Sequence, residues 1–197
     1  MRLRKARPLD GLRALGGKVI TGSKVRLREK KLSDVRTDYA WQSDTELVRL
    51  DAAPLLTASF PFYLLDYTDQ LRLPAPHRYP LAVETLDGRF IGNCTCYDID
   101  ENKGEAQLGI MIGDRAYWDR GYGADTVRTV VNHVFMNTEL RRIYLKTLDW
   151  NVRAQRCFAK CGFMACGQMK RNGHDFVLME LTREQWNKQP EHGAADS

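Results

Sequence analysis

The apolar pattern of this chain changes period within about thirty residues, and the change is marked by two glycines. The stretch "EAQLGIMIG" alternates, as a strand does, whereas "TVRTVVNHVF" places Val127, Val130, Val131 and Val134 at three-and-four spacing, as a helix with one apolar stripe does. Between them runs "YWDRGYGAD", with Gly121 and Gly123 one residue apart. A further alternating stretch, "RRIYLKTLD", follows the helix. A strand–helix–strand run needs a crossover, and a crossover admits a parallel strand pair. The chain is therefore not expected to be all-helical or a simple antiparallel meander.

The flanking sequence fills in the rest. "SKVRLREKK" alternates around Val25 and Leu27 and predicts a strand; "KLSDVRTDYAWQSDTELVRL" predicts helix, with Ser33 as its N-cap. Residues 53–79 are aromatic and apolar but carry Pro54, Pro61, Pro74 and Pro76, which predict short helices and a loop. "YPLAVETLDGRFIGNCTCYDID" predicts two strands turning at Asp87-Gly88, with "EAQLGIMIG" as the third strand of a meander. "NVRAQRCFAKCG" predicts a helix closed at Gly162, and the chain ends in a hairpin around Asn172-Gly173. The fold class is mixed α/β: a mostly antiparallel sheet of about seven strands flanked by helices.

Charge is uneven. Residues 1–31 hold 11 Lys/Arg against 2 Asp/Glu, so the formal net charge of +5 belongs to the N-terminal part. That predicts a basic arm over residues 1–22, a domain over 23–187 and a tail over 188–197. The arm is either a solvated segment or a contact for an acidic surface such as a ribosome. The five cysteines are odd in number and have no zinc-site spacing, so no disulfide framework and no metal is expected. No apolar run is long enough for a membrane span and no signal-peptide core is evident, which favours the cytoplasm.

A glycine pair that ends a strand and opens a helix allows backbone N–H groups to approach an anion, and Arg120 adds a cation there. The segment is neither a dinucleotide fingerprint, since Thr126 stands where a third glycine belongs, nor a P-loop. From these residues alone, a tight turn and an anion site are both open. Asn151 stands at a second strand-to-helix junction, where it can cap the helix or hydrogen-bond an amide-bearing chain. Phe158 follows seven residues later on the same helical face.

Taken together these stretches resemble the GNAT superfamily of acyl-CoA-dependent N-acetyltransferases. Its phosphate motif, Q/R-x-x-G-x-G/A, is matched by Trp118-Asp119-Arg120-Gly121-Tyr122-Gly123, with Trp at the first position as in the RimJ/RimL-type branch. Its second block is matched by Asn151, Ala154, Phe158, Lys160, Gly162 and Phe163. The resemblance implies that the backbone from Arg120 through Gly121, Tyr122, Gly123 and Ala124 to Asp125 holds the pyrophosphate of acetyl-CoA. It implies that Ile110, Met111 and Ile112 lie along the pantetheine arm and that Asn151, Arg153, Arg156 and Phe158 complete the cofactor site. The strands at 105–112 and 143–149 should splay to admit it. Backbone N–H groups near Met111 would face the acetyl oxygen. Gln107 stands where many relatives carry a catalytic Glu, which makes Glu105, two residues away on the same strand face, the candidate base. Phe158 stands where many carry an acidic Tyr. The implied reaction is direct attack of a primary amine on the thioester in a ternary complex. The acceptor is either a protein N-terminal amine or a small amine, a polyamine, antibiotic or metabolite, held against residues 53–79, which could instead pack a homodimer. The two departures leave a non-catalytic acyl-CoA-binding or regulatory domain as the alternative.

Overall fold

The computed structural model describes residues 19–190. One eight-stranded sheet organises them, in the order β1-β2-β3-β4-β5-β6-β8-β7. The strands are β1 (Ile20–Thr21), β2 (Val25–Glu29), β3 (Tyr79–Thr85), β4 (Phe90–Asp100), β5 (Glu105–Ile112), β6 (Arg142–Leu148), β7 (Met164–Arg171) and β8 (His174–Thr182). The helices are α1 (Val35–Gln42), α2 (Thr45–Leu50), α3 (Phe60–Arg72), α4 (Tyr122–Asn137), α5 (Val152–Ala159) and α6 (Arg183–Asn187).

Every neighbouring pair is antiparallel except β5 and β6, the pair joined through the α4 crossover. The alternation of β5 sends Ala106 and Leu108 into the core, with Ile110 and Ile112 packed against it beside Val127, Val130, Val131 and Val134 of α4. Its other face, bearing Gln107, Gly109 and Met111, looks toward the layer of α1, α2 and α3. Two layers of helix thus cover the two faces of the sheet.

Several expectations change. There are eight strands because Ile20–Thr21 pairs with Arg26–Leu27; the sheet therefore begins inside the segment expected to be an arm, whose first 18 residues lie outside the described ones, as do 191–197 of the tail. The helix expected from Ser33 is broken: a 3-10 turn at Leu32–Asp34 leads into α1, and Asp44, not Ser33, caps a helix here by accepting from Glu46 and Leu47 N–H, each at 3.0 Å. Pro61 does not interrupt α3 because it stands in the first turn, where its missing N–H has no partner to lose. The helix runs for thirteen residues in all, and Tyr63 and Tyr67 bury against Val35 of α1.

Candidate active site

Register places the central feature. β5 and β6 pair over only three residues, Glu105 with Arg142, Ala106 with Ile143 and Gln107 with Tyr144. Beyond Gln107 the strands separate, leaving a gap along Leu108–Ile112. Gly113 donates its N–H to Ile91 O at 2.9 Å. Antiparallel alternation then turns the Met111 amide toward β4 as well, and leaves those of Ile110 and Ile112 facing the gap. The Ile112 carbonyl does face it, accepting from Trp118 Nε1 at 2.6 Å. Amides for the acetyl oxygen and pantetheine are thus to be sought at the two isoleucines, a correction to the expectation centred on Met111. The Met111 side chain lines the acceptor side instead.

At the open end of the gap, α4 begins. Gly121 has φ +86°, a left-handed conformation that costs a side-chain-bearing residue energy, and it caps the helix without any side-chain bond. The first-turn N–H groups are free of a capping side chain and carry the positive end of a sixteen-residue helix dipole. The space above Gly123 is open enough that an added Cβ would lie 3.5 Å from Cys157 Sγ, an ordinary contact. Cations gather there. Lys24 Nζ donates to Arg120 O at 3.1 Å, and the Arg153 guanidinium lies 3.7 Å from the centre of the Trp118 ring. The hydrogen bond from Cys161, with help from Arg128, Lys160 and Arg153, holds the Cys157 thiol below its usual range. A diphosphate fits this cradle. Asp125 does not oppose it, because its carboxylate is consumed by the β1–β2 turn, accepting from Ser23 N at 3.2 Å, Lys24 N at 2.7 Å and Val25 N at 3.0 Å.

The other expected residues divide. Asn151 caps α5, its Oδ1 accepting from Ala154 N at 3.2 Å, and it is buried beside the gap. Arg156 is exposed on α5. Phe158 is buried against Phe163 in the core. Glu105 is placed against its expected role as base: it sits at the closed end of the β5–β6 pair, bonded by Arg142 Nη1 at 2.8 Å, and Arg142 also binds Glu180 at 2.6 Å. Its carboxylate is already engaged, at the end of the strand pair away from the gap. Gln107 donates to Tyr97 Oη at 2.6 Å.

On the α1–α3 side the gap opens into a cleft of about 710 Å³ that reaches Gly109, Ile110 and Met111. A smaller pocket of about 330 Å³ between β3 and the end of α3 shares most of its lining with the cleft, Lys30, Gln70 and Arg78 included, but does not reach β5. The cleft wall carries Asp38, Asp51 and Asp66 with Trp41, Tyr63, Tyr67 and Tyr97. Asp38 is already satisfied, by Lys30, by Asn93 Nδ2 at 2.7 Å and by Tyr67 Oη at 3.1 Å. Asp51 is not tied in this way. Asp51 is an exposed residue that lines the cleft, and the protein gathered around it still desolvates its carboxyl; that desolvation, only partly offset by Lys146, pushes its pKa up to about 6. Tyr97 rests over Gly109, where an added Cβ would lie 3.2 Å from its ring; burial, with the Asp51 charge, pushes its phenol up to about 12. Asp51 and Tyr97 are the residues that the sequence reading missed as a pair. They come from α2's end and β4, and no spacing links them.

Comparison with known proteins agrees with this architecture. The family model described as an acetyltransferase (GNAT) domain matches residues 24–164. An uncharacterized N-acetyltransferase, p20, of Bacillus licheniformis is 24% identical over 75% of this chain and 83% of its own length. A spermine/spermidine N(1)-acetyltransferase of Bacillus subtilis is 28% identical over 43% of this chain and 56% of its own length. Among solved structures, a spermidine N-acetyltransferase from Vibrio cholerae, in complex with CoA and spermine, superposes with a TM-score of 0.73 at 18% identity, over 83% of this chain and 98% of that one. An aminoglycoside acetyltransferase, AAC(6')-Ib with coenzyme A, gives 0.69 at 21% identity, over 84% and 98%. The match over most of the described residues, together with the splayed β5–β6 pair and the uncapped α4 N-terminus, makes this chain a member of the GNAT acetyltransferase family, whose co-substrate is acetyl-CoA.

Proposed function

We propose that this enzyme moves an acetyl group from acetyl-CoA to the primary amine of a small cationic acceptor bound in the cleft beneath α1–α3. The observation that carries the proposal is that the β5–β6 gap opens directly onto that cleft at Gly109–Met111, where Asp51 is free. The cleft volume is that of a small-molecule site, and its carboxylates favour a cation. Acetyl-CoA supplies a thioester already activated toward an amine. The chain supplies position and proton handling. The backbone of Arg120–Asp125 would hold the pyrophosphate, and the Ile110 and Ile112 amides would meet the pantetheine arm and the negative charge developing on the acetyl oxygen. Asn151, Arg153 and Arg156 would flank the cofactor. Asp51 would take the proton from the acceptor ammonium. Relatives named for spermine, spermidine and aminoglycosides support a small amine over a protein N-terminus. Trp118 at the first motif position supports the RimJ/RimL-type branch. Among the described residues no helix is long and apolar enough to cross a membrane, and a cytoplasmic location is part of the proposal.

The test is calorimetric titration with acetyl-CoA, followed by a panel of small amines and peptides. We expect micromolar binding by the wild type. Gly123→Trp should weaken it by about a hundredfold, or about 2.7 kcal/mol, because the indole would fill the cradle. A folded wild type that does not bind acetyl-CoA would overturn the reading, and binding without transfer to any amine would favour the non-catalytic alternative.

A further inference from the structure

α2 spans the gap with one end on each lip. At its N-terminal end, Arg115, on the turn that leaves β5, binds Asp44 through Nη2 at 2.8 and 2.9 Å and Glu46 at 2.7 Å. At its C-terminal end, Arg49 stacks over Trp150, on the corner that leaves β6, at 4.7 Å from the ring centre. Leu47, between these anchors, is 2% exposed. Beyond β5 the α1–α2 layer sits close to the strand end: a Cβ on Gly113 would lie 2.2 Å from the Trp41 ring. Asp51 is the residue that ends α2, its N–H bonded to Leu47 O at 3.1 Å. Six helical residues rise roughly 9 Å, which suits a short bar laid over the separation of two strands.

We infer that α2 is a bar latched across the cofactor gap, and that Trp150, through Arg49, is a positioning residue that holds Asp51 over the acetyl end of the gap. This rests on Asp51 being the base. The two anchors differ in kind. Arg115 meets two carboxylates, while Arg49 meets only the face of an exposed ring, so the Trp150 end is the weaker latch. Lys146 on β6 is the charge that acts on Asp51, and the Asp51 charge acts in turn on Tyr97 of β4; Lys30, Asp38, Asp66 and Arg78 line the same cleft. None belongs to the latch. Releasing the bar therefore acts on Asp51 by carrying the end of α2 away from the protein gathered around it, not by removing a paired charge.

The experiment is a carbon-13 NMR titration of the Asp51 carboxyl, assigned by its loss in Asp51→Asn, in the wild type, Trp150→Ala and Trp150→Phe. The Trp150 contact is on the surface and its loss leaves the core intact, so both variants should fold. In Trp150→Ala the Asp51 midpoint should fall from about 6 toward the ordinary aspartate range near 4. Trp150→Phe keeps a ring for Arg49 and should hold the wild-type midpoint. In the acetylation assay Trp150→Ala should lower kcat about tenfold, with KM for acetyl-CoA nearly unchanged. An unshifted Asp51 midpoint in Trp150→Ala overturns the inference, and so does an equal shift in Trp150→Phe. The NMR arm needs neither acetyl-CoA nor an acceptor, so it stands or falls apart from the acetyltransferase reading, which is decided by acetyl-CoA binding and by transfer in the wild type.

Discussion

A residue that must take a proton from an ammonium near neutral pH needs surroundings poor in water but still open to its substrate, and Asp51 has both. Its pKa of about 6 makes it charged at pH 7 yet a better base than an ordinary aspartate. We expect kcat/KM of the wild type to rise with pH through about 6, and Asp51→Asn to lose that limb together with at least about a hundredfold of the rate. The same variant should report on stability. Because the folded pKa stands above the unfolded value, folding favours the protonated form. The charged form therefore costs stability in full above pH 6, and not at all below the ordinary aspartate range. Asp51→Asn should raise Tm at pH 8 and leave it unchanged at pH 3, a comparison that thermal melts can make directly. An activity loss without the alkaline gain in Tm would mean that Asp51 is not held as described. None of this was visible in the sequence. Asp51 is one acid among many in a helical stretch, and only the placement of α2 over the gap brings it near Tyr97 and β6. Glu105 shows the converse. Its strand and its face could be anticipated from alternation, but Arg142, which occupies it, arrives through the parallel pairing of a strand 37 residues away.

At the level of elements, the local signals were the legible ones. The switch of period and the glycine pair announced β5, the turn and α4, because a strand end, a left-handed cap and an apolar stripe are all set by neighbours in sequence. The long-range tie that steadies α4 was not legible. Asp125, in its first turn, holds three consecutive backbone N–H groups about a hundred residues back. In return, Gly22 must stay without a side chain, since a Cβ there would lie 2.2 Å from Thr129 Oγ1. Hydrogen bonds to a charged acceptor are the stronger kind, and their loss leaves the turn's donors to water at best. Asp125→Ala should therefore destabilise the domain by about 2 kcal/mol. That corresponds to a fall in Tm of about 4–8 °C for a chain of this size. A melt unchanged within about a degree would show that water replaces the carboxylate without cost. The expected break of α3 at Pro61 failed for the opposite reason. Proline is disruptive inside a helix and harmless in its first turn, and the composition of residues 53–79 alone does not say where the turn begins.

Across the whole molecule, charge and fold separate. Residues 1–18 carry six Lys/Arg and one Asp, which is the entire net charge of +5; the remaining residues are balanced. The proposed acetyl-CoA cradle does not draw on that excess, because its cations, Lys24, Arg120 and Arg153, belong to the balanced part. If the basic segment has a role, it is therefore in approach to an anionic partner, whose affinity falls with salt as counterions are released. The place to cut it follows from the sheet. Removing residues 1–22 would also remove β1 and Gly22, so a deletion meant to test charge alone must stop at residue 18. We expect the chain lacking 1–18 to keep its melting temperature and its acetyl-CoA affinity in physiological salt, and to lose any salt-sensitive binding to ribosomes or RNA that the full chain shows. Loss of acetyl-CoA affinity on the same deletion would instead place the basic segment at the cofactor site, and would make the balance of charge in the rest of the chain irrelevant to how that site attracts its phosphates.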